Sequence, residues 1–240
     1  MTIRRIVATA TAIATLAVAS PAVADAITLD GSDVGQSFTL KYNGFSDGTT
    51  VSGLTGETTL TLTSIDGTSY NFDYSVTNTT TDPVDSRISS FGFNTNPDIT
   101  GATATGTYSF VDTGGNVPNG LGQIDVCFKA GGSNSCSGSG GVTDGQTASG
   151  TLSLSFGSAP SSLTLSDFFV RYQSISGAGN VTSATGSGTI SSTSTGGSTG
   201  GTPVPEPGML GLLGLGLAGL AFATRRRTPS LRMGAMPLPA

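Results

Sequence analysis

Polar and apolar residues alternate with period two along much of this chain. Thr58–Ser64 reads TTLTLTS, and Phe38-Leu40-Tyr42, Tyr70-Phe72-Tyr74-Val76 and Leu152-Leu154-Phe156 each set apolar residues two apart. Successive side chains of a strand point to opposite faces, so this spacing predicts strands with one face on a core and the other in water. Asp47-Gly48, Asp66-Gly67 and Asp144-Gly145 punctuate the pattern as tight turns, because Asp-Gly tolerates the positive φ that hairpins require. Asn96-Pro97, Gly114-Gly115 and Pro118-Asn119-Gly120 add further breaks. No stretch of Asp25–Pro207 has helical periodicity. The expectation is a single all-β domain over residues 25–190, a β-sandwich or jelly roll of eight to eleven strands.

Two segments depart from this pattern. Residues 1–24 carry Arg4 and Arg5, an apolar run from Ile6 to Ala19, then Ala22-Val23-Ala24. A basic start, an apolar middle and a small-x-small site predict a secretory signal peptide cleaved after Ala24. Near the other end, Pro205-Glu206-Pro207 precedes the uncharged apolar run Gly208–Thr224, which Arg225-Arg226-Arg227 closes. Those 17 apolar residues span about 25 Å as a helix, short of the roughly 30 Å hydrocarbon core by an amount that arginine snorkelling absorbs. The arginines favour the cytoplasmic side, which sets the Pro-Glu-Pro tripeptide at the outer face. Gly214, Gly216 and Gly219 also spell a dinucleotide-binding fingerprint, but no acidic residue follows in Thr228–Ala240, so that reading fails.

The order of Val204-Pro205-Glu206-Pro207, apolar run and basic stop over residues 204–227 resembles the PEP-CTERM sorting signal. The resemblance implies processing by an exosortase, an integral membrane enzyme, in bacteria that make exopolysaccharide. Such signals usually stop at the basic cluster, whereas here residues 228–240 add a short tail expected on the cytoplasmic side. Before the signal, Ser191–Thr202 (SSTSTGGSTGGT) has nothing to bury, and residues 191–203 read as a flexible tether.

Composition narrows what the mature segment can do. Residues 25–207 hold all fifteen acidic residues but only Lys41, Arg87, Lys129 and Arg171 as cations, a net of about −11. Such a surface repels nucleic acid. Histidine is absent, which removes the commonest general base and the Ser-His-Asp arrangement. Asp30/Asp33 and Asp82/Asp85 are the nearest things to paired carboxylates. They sit beside Gly or Pro and read as solvated turn residues, with a structural calcium as the weaker alternative. No other metal or cofactor is expected. Cys127 and Cys136 bracket a short loop, and in an exported chain they are expected to form a disulfide. Glycan stacking calls for exposed aromatics. With no Trp, only Tyr42 and Tyr108, near strand ends, qualify as platforms.

One further resemblance lies in the middle of the chain. Arg87, Ser90-Phe91-Gly92-Phe93, Val126-Cys127-Phe128, Cys136, the Gly-rich run Gly138–Gly141 and Phe168–Tyr172 (FFVRY) together resemble the cistern family of PEP-CTERM proteins. That family carries no known activity, so the resemblance implies no catalytic residue. The sequence therefore predicts a non-enzymatic exported protein, anchored in the membrane as a precursor and then placed at the cell surface or in an exopolysaccharide or biofilm matrix. A carbohydrate-binding or adhesive module held at the envelope is the alternative.

Overall fold

Alternation becomes strand pairing in the computed structural model, which describes residues 25–117, 122–133 and 135–194. The described residues form β1 (Ile27–Leu29), β2 (Ser37–Ser46), β3 (Thr49–Asp66), β4 (Ser69–Asn78), β5 (Asp85–Asn96) and β6 (Gly101–Ala104). β7 (Phe110–Val117), β8 (Gly122–Lys129), β9 (Val142–Thr143), β10 (Thr147–Ser155), β11 (Leu163–Ser176) and β12 (Ser183–Ser194) follow. The fold is all-β, with twelve strands rather than eight to eleven. Asp47 and Gly48 close the β2–β3 hairpin with φ of 48° and 76°, as their sequence foretold.

All twelve strands belong to one sheet, ordered β6-β10-β4-β3-β2-β12-β11-β5-β8-β7, with β1 added to β11 and β9 to β5. Every pairing is antiparallel. The terminal strands β6 and β7 come back into contact without pairing, so the sheet nearly closes on itself. The expected sandwich of two facing sheets is thereby corrected to one rolled sheet. Register shifts at Leu62/Ser64, Asn43/Phe45, Ile190/Ser192 and Arg171/Tyr172 bend the long strands, and such bulges add to the twist that curls a sheet.

The inward residues that the sequence marked fill the interior: Phe38, Leu40, Tyr42, Leu60, Leu62, Phe72, Tyr74, Val76, Leu152 and Leu154 are all buried. Hydroxyls line the outside in cross-strand pairs such as Ser37–Thr61 at 2.7 Å and Thr77–Thr147 at 2.8 Å. Apolar inside and polar outside is the reverse of a membrane-spanning barrel. Between β6 and β7, the 3-10 turn Gly106–Tyr108 turns the Tyr108 ring into the core. Tyr108 Oη donates to the Ile88 carbonyl at 2.8 Å, and its backbone N–H donates to Tyr74 Oη at 3.1 Å. Its ring meets Phe91 edge-on, with centroids 5.4 Å apart.

The tether boundary also moves. β12 pairs with β2 as far as Ser194↔Ser37, so Ser191–Ser194 belong to the sheet rather than to a linker. The signal peptide with its cleavage site after Ala24, the remaining linker residues, the sorting signal with Pro205, Glu206, Pro207 and Arg225–Arg227, and the tail after it lie outside the described residues.

Candidate functional site

The dispersed motif of the central region converges on one patch of the sheet's outer face. Strands β11, β5, β8 and β7 are neighbours, and their register builds two rows across them. One runs Phe169–Gly92–Cys127–Asp112, the next Arg171–Ser90–Lys129–Phe110. Phe91 and Phe93, flanking Gly92, turn inward and pack against Phe128 at 5.2 and 5.9 Å between centroids. Gly92 itself faces outward beneath the Phe169 ring. A Cβ there would fall 2.2 Å from the Val126 carbonyl oxygen and 2.7 Å from Phe169 Cε1. Only glycine lets the ring and the neighbouring strand approach this closely.

The cysteines are joined as expected, with Cα atoms 5.9 Å apart. Their disulfide packs with Val117, Ile124 and Phe169 into a small apolar cluster outside the main core. It also draws the Gly-rich segment after β8 back over β5. Ser90 Oγ donates to the Cys136 carbonyl at 2.9 Å, and Ala130 N–H donates to the Ser89 carbonyl at 3.0 Å. Arg87 binds the Gly138 and Gly140 carbonyls through Nη1 and Gln173 Oε1 through Nη2. At Gly141 a Cβ would meet the Ile88 carbonyl at 1.9 Å. The run Gly138–Gly141 therefore lies against the β5 backbone itself.

Three of the domain's four cations sit in this patch. Arg171 is buried and donates to Thr185 Oγ1 at 3.0 Å and Ser183 Oγ at 2.9 Å, both neutral partners. Burial pulls its guanidinium below the ordinary arginine value. Lys129 is buried as well, and its Nζ donates to Asp112 Oδ2 and to the Ser133 carbonyl, each at 2.5 Å. This is the one ion pair among the described residues. The sequence marks Lys129 only as one of the four cations and gives Asp112 no role. The available signal was a lysine ending the apolar run Val126–Phe128 in an acidic domain. By contrast, none of the fourteen described acidic residues is buried, and Lys41 is exposed.

The other candidates come apart. Tyr42 and Tyr108 are 2 % and 0 % exposed, so neither offers a ring to a sugar. Both phenols are pushed up by burial, as suits side chains held neutral in a core. Asp30 and Asp33 cap the 3-10 turn Gly31–Asp33, with Asp30 Oδ1 accepting from Ser32 N–H and Asp33 Oδ2 from Asp30 N–H. Ser32 Oγ also donates to Asp30 Oδ1, at 2.6 Å, and this bond, then that from Ser32 N–H, holds the Asp30 carboxyl below its ordinary value. Asp85 accepts from Ser176 Oγ, and Asp82 lies in an exposed turn. Among the described residues no three His, Cys, Asp or Glu side chains gather to hold a metal. The patch is a clasp whose cations are spent on its own carbonyls, hydroxyls, the Gln173 amide and Asp112.

Comparison with known proteins places one further feature. Residues 203–227 match the family described as the PEP-CTERM protein-sorting motif. No curated protein and no solved structure matches the chain.

Proposed function

From a chain that carries the PEP-CTERM sorting motif and is thereby an exosortase-targeted exported protein, we propose a structural protein of the cell surface or exopolysaccharide matrix, without catalysis of its own. The match over residues 203–227 carries this reading. It gives the chain a membrane-held precursor stage and an exosortase-type enzyme as its processing partner. Support for a passive role comes from the domain. The sequence has no histidine, and Arg87, Lys129 and Arg171 are engaged in internal hydrogen bonds. An acidic, hydroxyl-rich exterior over an aromatic core suits a hydrated spacer in a polysaccharide gel.

Recognition is expected to run through Glu206, the one acidic residue after Asp167, flanked by prolines that keep its backbone extended. Replacing Glu206→Ala should leave full-length precursor accumulating in the inner membrane during pulse-chase fractionation. A variant processed at the wild-type rate would sink the proposal. Burial of Tyr42 and Tyr108 removes the two platforms expected for the glycan-binding alternative, and Phe110 is the aromatic left exposed among the described residues.

A further inference from the structure

We propose that Lys129 and Asp112 condense into an intramolecular isopeptide bond, a second covalent staple beside the disulfide. Lys129 Nζ lies 2.5 Å from Asp112 Oδ2, and the two side chains are 3 % and 36 % exposed. Both backbones are held. Lys129 is in register with Ser90 of β5 and Phe110 of β7, and Asp112 is in register with the disulfide-bonded Cys127. Ser133 contributes its carbonyl as a second acceptor, which fixes the direction of the amine. Two groups locked in contact react with the advantage of an intramolecular pair.

Transfer of one proton from Nζ to the Asp112 carboxylate leaves an amine facing a carboxylic acid. The Nζ lone pair attacks Cγ, forming the Nζ–Cγ bond, and the Cγ–OH bond breaks. The hydroxyl departs with a second amine proton as water. The remaining N–H of the amide stays on the Ser133 carbonyl. Ammonium and carboxylate go in, amide and one water come out, and no oxidant, reductant or other reactant is needed. The unequal exposure of the pair suits this step. The amine is on the dry side, while Asp112 lines an open cleft of about 580 Å³ between β7 and Ser135–Cys136, through which water leaves.

The bond would secure the strand most in need of it. Among the described residues β7 ends the sheet and pairs with β8 alone, and terminal strands open more readily than central ones. A cross-link from β7 to the disulfide-clasped end of β8 ties the sheet's loose edge to its most tightly held region.

Mass spectrometry of the exported, processed protein, reduced and alkylated, reads the bond directly. The expected mass is one water below that calculated for the processed chain with Cys127 and Cys136 alkylated. Trypsin should fail to cut after Lys129, giving the fragment 88–171 light by one water. In a Lys129→Arg variant, cleavage at that position and the missing water should both return, whatever the variant's stability. Wild-type protein of full mass that is cut after Lys129 overturns the proposal. A one-water deficit that survives in Lys129→Arg does so as well, since it assigns the loss to another site.

Discussion

Gly92→Ala tests the clasp with a single methyl group. Alanine in place of glycine ordinarily stabilises a strand by about 0.5–1 kcal/mol. At this position the new Cβ would stand 2.2 Å from the Val126 carbonyl oxygen, 2.7 Å from Phe169 Cε1 and 3.1 Å from Cys127 Cα, where ordinary contact begins at 3.4 Å. Two of those neighbours are backbone of the adjacent strand, and Phe169 is 1 % exposed, so none can step aside cheaply. Separation of β5 from β8 by more than an ångström falls at the upper end of overpacking costs, about 3 kcal/mol. Less the usual gain, the net loss is about 2 kcal/mol, or roughly 4–8 °C in Tm for a domain of this size. Gly101→Ala in β6 is the control, because a Cβ there meets nothing within 4 Å. It should leave stability unchanged or raise it slightly. Urea unfolding of both variants, with the disulfide intact, gives the comparison. A Gly92→Ala protein as stable as Gly101→Ala would refute the close approach of Phe169, β5 and β8.

Two further outcomes follow from the same patch and core. Replacing both Cys127 and Cys136 by Ala releases a ten-residue loop and should lower stability by about 2–3 kcal/mol on the chain-entropy account. An unchanged urea midpoint would show that the clasp holds without its disulfide. Burial raises the phenols of Tyr42, Tyr108 and Tyr172 above their ordinary value, with desolvation the largest cause in each. A folded pKa above the unfolded one means that stability is complete below about pH 10 and is lost as pH rises through and beyond it. Phenolate absorbance and circular dichroism should therefore change together. Full ionisation near pH 10 with the fold intact would contradict the burial.

Much of the fold was legible because alternation reports which side chains face inward, and every strand core named from the sequence is one. What alternation does not carry is pairing order, and so a nearly closed sheet read as a sandwich. Only the end of β12, Ser191–Ser194, fell on the tether side of the expected boundary, and the strand lacks an alternation of large apolar residues for a packing reason. Its inward residues include Ala184, Gly186 and Gly188, small because Tyr42, Tyr172, Phe168 and Val170 fill the space above them. A Cβ on Gly186 would sit 2.9 Å from Val170 Cγ2, and one on Gly188 would sit 2.7 Å from Tyr42 Cε1. Glycines that complete a core leave no large apolar residue for alternation to report. The same limit applied to the patch. Ser90-Phe91-Gly92-Phe93, Val126-Cys127-Phe128 and Phe168–Tyr172 each stood out alone. Their adjacency follows from strand register, and with it the burial of Lys129 against Asp112.

The central claim is that this chain is an exported precursor whose C-terminal segment is removed at the sorting motif. Mass spectrometry of the native protein recovered from the cell surface and surrounding matrix tests it most directly. The account predicts a chain beginning at Asp25 and ending close to Pro205-Glu206-Pro207, with no peptide from residues 208–240. A surface or matrix pool that retains Met233 or Met236 would contradict it.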